Sequence, residues 1–250
     1  MSNSSLVTYT KISPNKTSPR NHKIDTISIH CAVGQFTAKE ILNFSHFIFY
    51  DPNRGSSCNY AIGKDGSIGL GVDEEDRSWC TSSRSNDHRA ITIEVASDKK
   101  PPYAVTDKAY KALIDLLVDI CKRNDIKELK WEADKDLIGQ VNRQNMTVHR
   151  WFANKDCPGE YLYERHGQIA QEVNDRLNSK VSPKTFKVSV DIDNLNIRKG
   201  PGINYARTGK CTGKGVFTIV KTSKGQGSDA GWGKLKSGAG WISLDFSTKL

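Results

Sequence analysis

The chain changes grammar near residue 180, and this change restricts it to two differently built parts. Before that point, apolar residues recur at helical spacing over long stretches. Ala109, Leu113, Leu116, Leu117 and Ile120 follow a Thr106-Asp107 start, and Leu162, Ile169, Val173 and Leu177 lie between Glu160 and Asn178. Between them sit strand-like runs: Thr26 to Ile29, Asn59 to Gly63, Ser67 to Leu70 and Ala90-Ile-Thr-Ile-Glu-Val95. Helices long enough to cover a sheet, mixed with such strands, predict an α/β domain with a mixed central sheet over residues 1–178. Residues 179–184 read as a linker. From 185 to 250 the apolar runs are short and divided by glycine-rich turns: Phe186 to Val190, Leu195 to Arg198, Val216 to Val220, Gly231 to Leu235 and Gly240 to Leu244. That spacing predicts a small all-β barrel.

Local signals refine the first part. Thr37-Ala-Lys-Glu40 is a capping box that opens a helix carrying Ile41, Phe44, Ile48 and Phe49. Lys64-Asp65-Gly66 turns one strand into the next as a hairpin. The charge is unevenly placed. Residues 184–250 hold 12 Lys and Arg against 4 Asp and Glu, a net +8 of the chain's +9, which points this part toward an anionic partner. Its stacking aromatics and basic groove are too few for a nucleic-acid binder. No run approaches the ~20 apolar residues of a membrane span, and Met1-Ser-Asn-Ser-Ser-Leu6 lacks the basic start and apolar core of a signal peptide. The expectation is a product made in the cytoplasm. Its six cysteines, Cys31, Cys58, Cys80, Cys121, Cys157 and Cys211, show no paired spacing and read as reduced thiols.

Three residues have the chemistry of a hydrolytic zinc centre, which takes three protein ligands and leaves a fourth position open. His30 ends the Thr26–Ile29 run, His149 lies in Thr147-Val-His-Arg, and Cys157 precedes Pro158-Gly159. Spacing alone leaves two readings open, a metal site or structural histidines and a buried thiol. Glu94 stands in an otherwise apolar strand, where an unpaired charge is costly. It is either functional or a structural carboxylate. His22, His46 and His166 read as packed or solvated.

Five blocks carry a resemblance: Ile27-Ser-Ile-His30, Asn59-Tyr-Ala-Ile-Gly-Lys-Asp-Gly66, Arg77-Ser-Trp79, Ala90-Ile-Thr-Ile-Glu94 and His149 through Cys157-Pro-Gly159. In this order, over about residues 24–178, they resemble the type-2 N-acetylmuramoyl-L-alanine amidases, a family that includes phage endolysins and the peptidoglycan recognition proteins. The resemblance implies one Zn2+ held by His30, His149 and Cys157, with Lys155 stabilising an oxyanion. One branch of the family has a tyrosine base at a position that here is Cys58, and another uses a glutamate matching Glu94, so Glu94 is taken as the base. Trp79, His88 and Tyr60 are expected to contact substrate, although Trp79 fits a packed core equally well. Leu195-Asn-Ile-Arg-Lys-Gly-Pro-Gly202, with Gly231-Trp-Gly and Gly240-Trp-Ile, resembles bacterial SH3-like domains and implies wall binding through Trp232, Trp241 and Tyr205, one tryptophan being kept for the core.

Both resemblances concern one polymer. They imply an endolysin-type enzyme that cleaves the peptidoglycan of Gram-positive, clostridial-type walls between the lactyl group of N-acetylmuramic acid and L-alanine, aided by attraction to anionic wall polymers and acting after release from the cytoplasm. The alternative is a recognition protein that binds peptidoglycan without cutting it; such proteins lose the zinc cysteine, which this chain retains as Cys157.

Overall fold

The computed structural model describes residues 2–43, 55–178 and 185–250, which fall in two compact units, 1–178 and 179–250. The expected helix continuation through Phe44, Ile48 and Phe49, His46, and the linker 179–184 lie outside the described residues.

In the first unit the strands are β1 (Tyr9–Thr10), β2 (Lys16–Thr17), β3 (Thr26–Cys31), β4 (Tyr60–Ile62), β5 (Ile68–Leu70), β6 (Arg77–Ser78), β7 (Ala90–Val95) and β8 (Met146–Thr147). The helices are α1 (Ala38–Asn43), α2 (Arg84–Arg89), α3 (Asp107–Arg123) and α4 (Glu160–Asn178). Six strands form one mixed sheet in the order β1-β5-β4-β7-β3-β8, and β2 pairs with β6 apart from it. β3 and β7 run parallel in unbroken register from Thr26 opposite Ala90 to Cys31 opposite Val95. β4 lies parallel to β7 on its other side, with Ala61 opposite Glu94.

Period-two alternation then sorts the side chains. Ile27, Ile29, Ile91, Ile93, Tyr60 and Ile62 share one core with Leu113, Leu116, Leu117 and Ile120 of α3 and Leu162, Ile169 and Val173 of α4. Ser28, His30, Thr92 and Glu94 therefore project from the opposite face. There Thr92 accepts from the Asn59 amide (3.1 Å), its own amide donates to Asn59 Oδ1 (3.1 Å), and its hydroxyl meets Ser78 Oγ (2.7 Å). Both faces of β3 are buried, as expected of a parallel strand covered on each side.

The caps behave as their residues dictate. Thr106 Oγ1 accepts from the Ala109 amide (3.1 Å) at the start of α3. In the Thr37–Glu40 box, Glu40 Oε2 accepts from the Thr37 amide (2.7 Å) and Thr37 Oγ1 from the Glu40 amide (3.2 Å). Gly66, at φ 84°, takes the left-handed turn between β4 and β5.

Tyr60, expected at the substrate, belongs instead to the buried framework. Its ring is fully buried in the helix-facing core, and its hydroxyl donates to Glu74 Oε1 (2.5 Å) and accepts from the Ser4 amide (2.9 Å). Arg123, at the end of α3, grips both oxygens of Glu74 (2.6 and 2.7 Å). The network ties the N-terminal segment, β4 and α3 together.

The second unit is an all-antiparallel sheet of β9 (Phe186–Val190), β10 (Leu195–Arg198), β11 (Arg207–Thr212), β12 (Gly215–Gly225), β13 (Ser228–Leu235), β14 (Trp241–Ser243) and β15 (Thr248–Lys249), in the order β11-β10-β14-β13-β12-β9-β15. Val188, Val190, Leu195, Ile197, Ile219, Leu235 and Ile242 form its core. At Gly225 a Cβ would fall 1.9 Å from the Pro201 carbonyl oxygen, so the close approach of these segments requires glycine. None of the described helices is long and apolar enough to cross a membrane.

Removing the Tyr60 hydroxyl should expose the value of its network. Tyr60→Phe leaves the Ser4 amide and one Glu74 oxygen short of a buried partner, and should lower unfolding free energy in urea by about 1–3 kcal/mol with an unchanged m-value.

Candidate metal and catalytic site

His30, near the end of β3, is fully buried. Its Nδ1 lies 3.4 Å from Cys157 Sγ and 4.0 Å from Glu94 Oε1, and its Nε2 is buried with no protein partner. His149 opens the helical turn His149–Trp151 just after β8. Since β8 pairs with β3, this pairing carries His149 to His30, and the two rings sit edge-on with centroids 5.1 Å apart. The hydroxyl of Ser82 meets His149 Nε2 at 3.0 Å and fixes the ring's orientation.

Cys157 is presented by the turn that Gly159 closes onto the Asp156 carbonyl (2.7 Å). Arg150 braces this turn: its amide donates to the Cys157 carbonyl (3.1 Å), and its guanidinium donates to the Asp156 carbonyl (2.6 Å) and to Glu160 (2.8 Å). The ligand atoms of His30, His149 and Cys157 all lie within 4.8 Å of one another.

The electrostatics suit a cation. Burial, helped by the charges of His149 and His166, pushes His30 down to about 3, so the ring is a neutral donor at physiological pH. Burial, and then the nearby Lys155 ammonium, also lowers His149. Contact with the Cys31 thiol, burial and the charge of Glu94 hold the Cys157 thiol well up. Glu94 lies across from His30 in the β3–β7 register, and burial, then Cys31, raises its carboxyl well above the usual range. One oxygen of Glu94 accepts weakly from Cys80 Sγ (3.9 Å), and the other is buried with no partner. Two neutral imidazoles, a thiol and a carboxyl, with His30 Nε2 and one Glu94 oxygen left unpaired, form a donor set that a divalent metal such as zinc would complete.

The remaining expected residues scatter. Lys155 is exposed on the loop before Cys157, near enough to act on His149. Trp79 is half-buried and pinned, its Nε1 donating to Thr17 Oγ1 (3.0 Å) and its ring facing the Arg77 guanidinium. His88 does not join the cluster: it sits at the end of α2, where its Nδ1 accepts from the Asn21 amide (3.0 Å). It borders a separate cavity of about 580 Å³ beside Arg84 and Arg89. The run from Ala90 to Glu94 spans about 13 Å, which separates that cavity from the cluster. Trp232 and Trp241 are both buried in the second unit and offer no open face for a ligand; Tyr205, 44% exposed, does. His166 is packed against Trp131 and bonded to the Leu162 carbonyl, while His22 is half-buried with its Nδ1 against the Lys23 carbonyl (2.8 Å).

Sequence reading missed Ser82, held at φ 61°, and the approach of Cys58 and Cys80 to Glu94. For Cys80 the available signal was its place directly after the Arg77-Ser-Trp79 block. Ser82 has no such mark.

Because Arg150 braces the Cys157 turn without contacting the donor atoms, Arg150→Ala should weaken zinc affinity by about 10-fold, the range set by partners behind the ligands. Competition with a chromophoric chelator measures this.

Among solved structures, PlyL is 20% identical, covering 66% of this chain and 95% of its own, at a TM-score of 0.47. The endolysin N-acetylmuramoyl-L-alanine amidase LysCS from Clostridium intestinale is 17% identical, covering 67% and 97%, at 0.47. A selenomethionine derivative of AmpD is 20% identical, covering 67% and 96%, at 0.48. A comparison with curated protein sequences finds no significant match. A family model described as N-acetylmuramoyl-L-alanine amidase matches residues 20–160, more than half the chain and every residue of the cluster. The chain therefore belongs to the N-acetylmuramoyl-L-alanine amidase family.

Proposed function

We propose that the first unit is a zinc-dependent amidase that hydrolyses the bond between the lactyl group of N-acetylmuramic acid and L-alanine in peptidoglycan. The observation that carries this reading is the set of His30, His149 and Cys157 with Glu94 in register beside His30, inside a chain segment matched by the amidase family. A zinc ion held by the three ligands would supply Lewis acidity toward the amide carbonyl and toward water. Glu94 has the place that a general base needs, opposite His30 in the β3–β7 register with Oε1 4.0 Å from His30 Nδ1; it would take a proton from the attacking water and deliver it to the departing L-alanine amine. The Lys155 ammonium, on the loop before Cys157, would hold the negative charge that develops on the carbonyl oxygen. Ser82 and Arg150 keep His149 and Cys157 in position.

The second unit, in this reading, is an SH3-like wall-binding domain. Its sequence signature and basic excess favour docking to the anionic wall of a Gram-positive organism, with Tyr205 as the accessible aromatic contact. A chain of this kind fits an endolysin acting at the wall after release.

Three outcomes test the reading. Digestion of purified Gram-positive walls should produce new L-alanine amino termini and no reducing sugar ends. EDTA should abolish the cleavage and zinc restore it, and Glu94→Gln should lower kcat by about 10²–10⁴-fold while zinc content stays at one per chain. Reducing ends would mean a glycosidase, and firm binding without cleavage would return the recognition-protein reading. Wall binding by the intact chain should weaken as salt rises, and Tyr205→Ala should weaken it by about 1 kcal/mol or more, roughly fivefold, in a pelleting assay.

A further inference from the structure

Two donor sets converge on His30. The first, with His149 and Cys157, is the centre described above. The second consists of His30, Cys80 and Glu94, whose ligand atoms also lie within 4.8 Å of one another. Cys80 arrives from the loop after β6, Glu94 from β7 and His30 from β3. Glu94 Oε1 lies 3.9 Å from Cys80 Sγ and 4.0 Å from His30 Nδ1, and Glu94 Oε2 is buried with no partner. One thiol, one imidazole and one carboxylate with donor atoms this close suit zinc or cadmium and suit magnesium or calcium poorly.

Distances rank the two seats. With metal bonds of about 2.0–2.3 Å, the donors of a tetrahedral site stand roughly 3.3–3.6 Å apart. His30 Nδ1 and Cys157 Sγ are at 3.4 Å already, whereas Glu94 Oε1 stands about half an ångström further than that from Cys80 Sγ (3.9 Å) and from His30 Nδ1 (4.0 Å). The same Nδ1 atom approaches both Cys157 and Glu94, so a single ion takes one seat or the other.

We propose that His30, Cys80 and Glu94 form an alternative, weaker seat for the same thiophilic divalent cation, occupied when Cys157 is lost as a ligand. Binding there releases the thiol proton of Cys80. It also makes Glu94 a ligand and so withdraws it from proton transfer. This last consequence rests on the amidase reading above; the binding itself does not. The chain thus keeps its metal in a silent form.

Cadmium added to the metal-free full-length protein tests the seat, read by the ultraviolet absorption of thiolate-bound cadmium and by bound metal per chain. Cys157→Ser should still take up one cadmium with a thiolate band, at least about 10-fold more weakly than the parent protein. Adding Cys80→Ala to that variant should abolish the band, and adding Cys31→Ala should leave it. A band absent from Cys157→Ser, surviving Cys80→Ala or lost with Cys31→Ala would overturn the proposal. Urea unfolding of each variant checks the fold, and Cys157→Ala replaces the serine variant if the turn fails. Wall cleavage is scored separately. A parent protein that cuts no wall sinks the amidase reading and leaves the cadmium result standing. A Cys157→Ser protein that holds cadmium through Cys80, yet cuts walls at the parent rate when loaded with zinc, overturns the silent form.

Discussion

The parallel register of β3 against β7 is the constraint on which the site depends. It sets His30 opposite Glu94, and alternation then separates them from the isoleucines that anchor the sheet to α3 and α4. A one-residue slip of either strand would turn its side chains over, setting His30 or Glu94 against Leu113, Leu117 and Val173 and putting Ile29 or Ile93 on the polar face. The apolar core thus fixes the register, and the register fixes the chemistry. β8 extends the same logic by carrying His149 to the end of β3, and only the Cys157 turn needs a separate brace, which Arg150 supplies.

The price of this arrangement is a polar pocket enclosed by apolar packing. Burial holds His30 neutral and Glu94 protonated more readily than a free carboxyl, and leaves one atom of each without a partner. Such groups are tolerated where a ligand or a reaction compensates for them, and they concentrate at functional sites. The Tyr60–Glu74–Arg123 network shows the contrast. It is also ionic and also buried, but its Glu74 oxygens and Tyr60 hydroxyl are all bonded, and it holds the fold together.

Much of this was legible in the sequence where a pattern is local. The period of α3 and α4, the Thr37–Glu40 and Thr106 caps, and the runs that became β3, β7, β9 and β10 are each specified within a few residues. What could not be read depends on distant partners. α2, Arg-Ser-Asn-Asp-His-Arg, has no apolar stripe and owes its start to the Ser83 cap and to Asp87, which accepts from the Cys80 and Thr81 amides. β11 lacks alternation and is defined by its pairing with β10. His30, His149 and Cys157 were singled out through their neighbouring motifs, and the fold brings their donor atoms within 4.8 Å of one another, whereas Tyr60 and His88 lie away from that cluster for a shared reason. Closeness to a motif in sequence says nothing about which face of a sheet, or which end of a strand, a side chain occupies.

His30 and Cys157 stand 127 positions apart yet 3.4 Å from each other. In an unfolded chain those donors are far apart, so a metal that binds the assembled centre favours the native state. At a free concentration one hundred times the dissociation constant, such a ligand adds about 2.7 kcal/mol to stability. The ion is then a clasp across the whole first unit. Metal supply would then set how long the folded first unit survives, quite apart from how fast any reaction at the centre runs.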